Sequence, residues 1–217
     1  MRVMQQQTCL CVHARIHVYS MVLFNGHRTV MIRGEDLKFS CAHFVSYEGF
    51  RERLHGHNYT VEVEVSGPMC QTDGYVIDFG ILKMHIRLLC KSLNERILVP
   101  EKSASLQIRL VSSHERSSAA ALSSCGSGEV DEHFPESGQV ELVCGNAFFS
   151  FPKSDCAILP IAFSTAEELS RFLTTKLEQV LRPDLDNRQI QTITVRVFER
   201  PTQAASYTMT TAHCSSC

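Results

Sequence analysis

The chain has 217 residues, 44% of them hydrophobic and 20% charged, with a formal net charge of -2. That length suits one globular domain, or one domain carrying an insertion, with enough chain to bury a real core. Scattered Lys and Arg at near-neutral charge argue against a nucleic-acid or membrane-surface partner, and no stretch reaches the ~18 apolar residues of a membrane span.

The first 30 residues read as an N-terminal extension. Their segment CLCVHARIHVYSMVLF is interrupted by His13, Arg15 and His17 and lacks the three-part pattern of a secretory signal, so the expected location is cytoplasmic. Val22, Leu23 and Phe24 hint at one extra strand. The domain itself is expected over 31–212, and LKFSCAHF at 37–44 reads as its first clear strand. Residues 55–66 read as the next, because Val61, Val63 and Val65 alternate with Glu62, Glu64 and Ser66. GPMCQTDGY turns the chain, and Asp78 then caps a helix over 79–93, with Leu82, Ile86, Leu89 and Leu93 at helical spacing.

Two strand-like runs follow, LQIRLVSS and QVELVCGNAFFSF, joined as a hairpin by a Ser-, Gly- and Glu-rich insertion near 112–137 that is expected to be flexible. A second helix opens at Ser164-Thr165-Ala166-Glu167, in the form of a capping box, and is expected to stop before Pro183. Its buried face is expected to carry Leu169, Phe172, Leu173, Leu177, Val180 and Leu181. QTITVRVFE and ASYTMTT complete the strands, and 213–217 read as a frayed tail. Two strands, a helix, a hairpin, a helix and two strands make an α+β class with a mainly antiparallel sheet. Ten irregularly placed cysteines, several on core elements, read as reduced thiols rather than a disulfide framework.

Chemistry gathers at Arg51-Glu52-Arg53-Leu54-His55-Gly56-His57-Asn58-Tyr59. Strand residues of one parity share a face, so His55 and His57 lie on the side of Val61, Val63 and Val65. Two imidazoles there can hold one divalent metal, with His43 supplying a third nitrogen if its strand pairs alongside. Three neutral histidines and an open fourth position match a catalytic zinc site. An isolated H-x-H is weak by itself, since strand histidines often satisfy themselves; on spacing alone both readings stand. Glu199 shares parity with Ile193, Val195 and Val197. Either it points inward and needs a partner, since an unpartnered buried carboxylate is costly, or the strand has ended and it turns to solvent beside Arg200.

FSCAHF, LHGHNYTVEVEVSG, GYVIDFGILK, STAEEL and VFERPTQAASY together resemble the 6-pyruvoyltetrahydropterin synthase family, which includes the 6-carboxytetrahydropterin synthases. The likeness spans about Leu37 to Thr210 outside the insertion; FRERLHGHNY and FPKSDCAILP resemble elements of its protozoan type III branch. The resemblance implies a tunnelling fold (T-fold) with two main helices on one sheet face. It implies stacked trimers forming a homohexamer, with active sites between subunits. It implies Zn2+ held by His43, His55 and His57, and a pterin anchored by Glu199 and contacted by Thr165; on the residues, Thr165 could equally be only a helix cap, with Ser164 competing.

Two departures qualify it. Pyruvoyl-forming members carry a cysteine just before H-G-H, whereas YEGFRERL has none and Cys41 lies on the wrong side of His43. Glu52 takes that place in the type III pattern, and its bland alternative is a loop carboxylate paired with Arg51 or Arg53. The family's helix-ending Asp-His pair is Asn94-Glu95 here, which leaves Glu95 as a candidate acid or base, the relay dispensable, or the chain catalytically weak. The expected function is a pterin lyase converting 7,8-dihydroneopterin triphosphate to 6-hydroxymethyl-7,8-dihydropterin for folate. The alternatives are triphosphate elimination in the tetrahydrobiopterin pathway, and a pterin- and zinc-binding homologue with impaired catalysis.

Overall fold

The computed structural model describes residues 26–111 and 138–211. The insertion, the hinted strand at Val22–Phe24, and Cys214 and Cys217 lie outside the described residues. A six-stranded sheet runs in the order β11-β10-β4-β1-β5-β9. It is formed by β1 (His27–His43), β4 (His55–Pro68), β5 (Arg96–Pro100), β9 (Cys156–Leu159), β10 (Thr192–Arg200) and β11 (Gln203–Thr210). Each of the first four in that order runs antiparallel to its neighbour, whereas β5 and β9 join in parallel. Strands β2 (Ser46–Tyr47) and β3 (Phe50–Arg51) form a short hairpin. A separate meander comprises β6 (Gln107–Val111), β7 (Gln139–Cys144) and β8 (Ala147–Pro152).

Strand β1 begins upstream of the expected domain start and runs through Gly34-Glu35-Asp36, where its register against β4 shifts between Arg33 and Lys38. That irregularity breaks the alternation and hides the first half of the strand from a periodicity reading. The run QVELVCGNAFFSF, expected as one strand, folds back at Gly145, whose φ of +57° suits a residue without a side chain. Thus β7 and β8 are two strands, and with β6 they close a second core of Phe44, Val99, Leu106, Val140, Leu142 and Cys156.

Helix α1 (Phe79–Leu93) starts at Asp78, whose carboxylate accepts from the amides of Gly80 and Ile81. Helix α2 (Ala166–Asn187) differs from expectation at its C-terminal end. At the other end the two candidate caps resolve to Thr165, which accepts from the Glu168 amide. The helix continues through Pro183 for another turn, with Leu181 and Leu185 fully buried on either side of the proline. An interior proline costs a helix about 3 kcal/mol, and burying Leu181 and Leu185, each worth about 1.5–3 kcal/mol, offsets that break. Val180 is exposed rather than buried.

Leu82, Ile86 and Leu93 of α1 and Leu169, Leu173 and Leu177 of α2 lie against Tyr59, Val61, Val63, Val65, Ile193, Val195 and Val197 in the main core. The opposite sheet face is polar: Arg196 bridges Glu62 at 2.7 Å and Glu64 at 2.8 Å. Cys41, Cys70, Cys90, Cys144 and Cys156 are free thiols. No helix among the described residues is long and apolar enough to cross a membrane.

Candidate active site and metal centre

The β1–β4 register sets His43 opposite His55, and Cys41 opposite His57. With a period of two, the three imidazoles share the helix-covered face at its open end. Gly56 lies between the two β4 histidines, where a Cβ would come within 3.2 Å of the Cys41 carbonyl. A side chain there would press directly on the strand pairing that aligns the triad. One ring nitrogen from each of His43, His55 and His57 lies within 4.8 Å of the others. His55 Nε2 and His57 Nε2 are 3.1 Å apart.

Hydrogen bonding tests whether these rings suit a metal. His55 Nδ1 lies 2.8 Å from the Arg53 carbonyl, which can only accept, so Nδ1 carries the proton and Nε2 keeps its lone pair. His43 is almost fully buried, and that burial, followed by the neighbouring His55 and His57, holds its pKa below the usual histidine value. It is therefore a neutral ring, as a ligand must be. Tyr59 lies between the metal-side and anion-side groups, with its hydroxyl donating to Glu199 at 3.3 Å and 3.4 Å from His43 Nε2. A hydroxyl has one proton, so once it is given to Glu199 the Tyr59 oxygen can only accept from His43 Nε2. Three imidazoles with a ring nitrogen each within 4.8 Å of the others, one of them a buried neutral ring, fit a nitrogen-rich divalent site.

Glu199 thus faces inward, whereas its residues alone slightly favour an outward turn beside Arg200. A register shift between Phe198 and Arg200 extends β10 past the point where simple alternation would end. Glu52 sits beside the triad across the β2–β3 hairpin. Its amide donates to Val45 O at 2.9 Å and its Oε2 accepts from Val45 N at 3.0 Å. The Arg51 guanidinium donates to the Glu52 backbone carbonyl and lies over Phe44 and Phe149, not against the carboxylate.

One cavity of about 420 Å³ brings these groups together: His43, Glu52, His55, His57, Thr165, Glu167 and Glu199 all line it. Thr165 therefore caps α2 and also forms part of the wall. No cysteine lines this cavity among the described residues, and burial pushes the Cys41 thiol up to about 12, well away from thiolate chemistry at neutral pH.

Glu95 does not line this cavity. It is exposed, with a φ of +57°, and lines a second cavity that shares His57 with the first, together with Ser40, Asn58 and Arg96. Asn94 Oδ1 accepts from Ser40 N at 2.9 Å, and Glu95 N donates to Ser40 O at 2.6 Å. This pair thus ends α1 by completing the hydrogen bonding of β1.

The sequence reading missed Tyr59, Ser164 and Glu167. Tyr59 could have been found by parity, since it follows His57 on the same face of β4. Ser164 carried only a capping signal, and nothing local marked Glu167.

Comparison with known proteins gives concordant results. Residues 34–210 match the family described as 6-pyruvoyl tetrahydropterin synthase. Putative 6-carboxy-5,6,7,8-tetrahydropterin synthases are similar from Methanocaldococcus jannaschii, at 25% identity over 79% of this chain and 89% of that protein, and from Pyrococcus abyssi, at 27% over 80% and 87%. The fold is similar to 6-pyruvoyl tetrahydropterin synthase from Plasmodium vivax, with a TM-score of 0.70 and 32% identity over 86% of this chain and 100% of that one. A P. vivax variant in which a catalytic-residue glutamate is replaced by alanine matches equally well.

Proposed function

We propose a function from the premise that the chain belongs to the 6-pyruvoyl tetrahydropterin synthase family, a family of T-fold lyases. It is a zinc-dependent lyase that takes 7,8-dihydroneopterin triphosphate and cleaves its side chain to 6-hydroxymethyl-7,8-dihydropterin, a folate precursor. The observation that carries this reading is the placing of Glu52, rather than a cysteine, in one cavity with the three histidines and Glu199. The catalytic glutamate of the P. vivax relative supports it.

His43, His55 and His57 would hold the metal, which when bound would supply Lewis-acid polarisation of side-chain oxygens. Glu199 accepts hydrogen bonds from the guanidine-like edge of the pterin, held in place by Tyr59. Thr165 and Glu167 supply polar atoms along the cavity wall. Glu52 takes a proton from the C2′ hydroxyl as the C1′–C2′ bond opens, C2′ leaving as an aldehyde and C1′ taking up a proton to become the hydroxymethyl carbon, a general-base role within reach of the triad. Its tie to Val45 fixes one carboxylate oxygen and leaves the other for the substrate.

The same proposal includes a homohexamer of two stacked trimers with sites between subunits. It is supported by the position of β11 at the end of the sheet and by Gln203, Ala204 and Ala205 of that edge strand lining the cavity. A second reading, a pterin- and zinc-binding homologue with impaired catalysis, is favoured by Asn94, whose side chain is engaged with Ser40 and cannot relay protons.

Incubation of the zinc-loaded protein with 7,8-dihydroneopterin triphosphate, with mass identification of the pterin, separates the alternatives. The expected product is 6-hydroxymethyl-7,8-dihydropterin. A pyruvoyl product would instead assign triphosphate elimination, and bound but unchanged substrate would assign the impaired homologue. Glu199→Gln is expected to raise KM by on the order of 10–100-fold, the worth of a charged hydrogen bond. Gln can still accept from Tyr59, so the fold should survive. An unaltered KM would remove Glu199 from the pterin site.

A further inference from the structure

The β6–β8 meander supplies none of the residues lining the first cavity, yet it reaches Glu52 through one side chain. The Arg51 guanidinium, at the end of β3, lies over two rings whose centroids are 5.1 Å apart. These are Phe44, which follows β1, at 5.9 Å, and Phe149 of β8, at 5.5 Å. A guanidinium held over ring faces is attracted by their negative charge and keeps its edge free to donate. Here Nη1 donates to the Glu52 carbonyl at 2.7 Å, the length of a charge-assisted bond. Residues 52–54 belong to no helix or strand, so Glu52 depends on such individual contacts. Val45 accepts from its amide and donates to Oε2, and Arg51 donates to its carbonyl. A second tie, between Ser46 Oγ and Ser105 Oγ at 2.9 Å, fastens the β2–β3 hairpin to the segment entering β6.

We propose that Arg51 is a positioning residue for Glu52, and that the aromatic face of the meander, through Phe149, sets where this carboxylate stands. The proposal rests on the reading of Glu52 as the general base. The rings also hold the guanidinium away from the carboxylate, so it does not compete with substrate for the oxygen that Val45 leaves open. Without Arg51 the Glu52 carbonyl loses its charged partner and the following peptide is free to turn. The carboxylate then moves against the substrate, while the histidines, aligned by the β1–β4 register, stay in place. Misplacement by 1 Å can cost a reaction on the order of 100-fold in rate.

The test measures kcat, KM and Zn2+ content with 7,8-dihydroneopterin triphosphate in the zinc-loaded wild type, Arg51→Ala, Arg51→Lys, Phe149→Leu and a control, Phe148→Leu. Phe148 neighbours Phe149 on β8 but is exposed. Arg51→Ala is expected to lower kcat by about 10–100-fold with KM and Zn2+ content unchanged. Arg51→Lys should recover part of the loss, since an ammonium can reach the carbonyl but does not lie flat on the rings. Phe149→Leu should cost about 2–30-fold, the worth of a cation–ring contact, and Phe148→Leu nothing. Added to Glu52→Ala, Arg51→Ala should lower the residual rate no further, because it acts only through Glu52. A wild-type kcat in Arg51→Ala, a drop in its Zn2+ content, a matching loss in Phe148→Leu, or a further loss on top of Glu52→Ala would each overturn the proposal. The carbon-13 resonance of the Glu52 carbonyl reads the same tie without turnover. It should move in Arg51→Ala and Phe149→Leu but not in Phe148→Leu. An unmoved signal in Phe149→Leu would overturn the proposal even if Arg51→Ala fails to fold or the wild type proves inactive. Full turnover by Glu52→Ala would defeat the base reading and this proposal with it, whereas failure of the proposal alone leaves Glu52→Ala inactive.

Discussion

Replacement of Glu52 by alanine is expected to lower kcat by about 10²–10⁴-fold, the range of a positioned general base, while Zn2+ stays bound. Glu52 is the carboxylate beside the triad that is anchored without an ion pair among the described residues. Its Oε2 receives the Val45 amide and Arg51 is turned toward aromatic rings. That anchoring suggests a purely structural alternative, in which Glu52 merely holds the hairpin. Glu52→Gln separates the two, because an amide oxygen can still accept from Val45 N but takes no proton. If the role is that of a base, Gln should be as inactive as Ala; recovery of turnover by Gln would make the residue structural. Loss of zinc in either variant would also refute the assignment. The measurements are single-turnover product formation and metal content.

Removal of one triad ring should have a still larger effect on metal binding. His57→Ala is expected to weaken Zn2+ affinity by more than ~100-fold, beyond the range for a supporting partner, and to abolish turnover. His57 is well suited to this test because it is only half-buried, so its loss opens little of the core. Chelator treatment of the wild type should have the same catalytic effect, and added Zn2+ should reverse it. Retained turnover after complete metal removal would end the zinc reading.

Much of this site was legible because strand parity is a strict geometric rule. His55, His57 and Val61 share a face whatever lies beyond the strand, and the His43 strand does pair alongside them. Helix α1 was equally legible, since Asp78 and the Leu82, Ile86, Leu93 spacing act locally. The short parallel strands β5 and β9 were not, because Leu98 and Val99 are adjacent and both buried, and such runs have no alternation to detect. Pro183 misled because local propensity cannot register the burial of Leu185. Ser164 and Thr165 were ambiguous because either hydroxyl could cap a helix; the choice depends on Phe44 and His43, which are more than a hundred residues away in sequence. The inward turn of Glu199 likewise depends on a bulge and on Tyr59.

Beneath the histidines, Tyr59 stacks on Phe39 with ring centroids 5.0 Å apart, and both are buried in the main core. The apolar interior is thus closed off below the triad by a pair of aromatic rings, and the protein is not built like a zinc finger, which needs its ion in order to fold. If the triad holds zinc as proposed, scarcity of the metal would leave intact but idle molecules, ready to be switched on when the supply returns. Zinc would then govern how much of the population works, not how much of it survives.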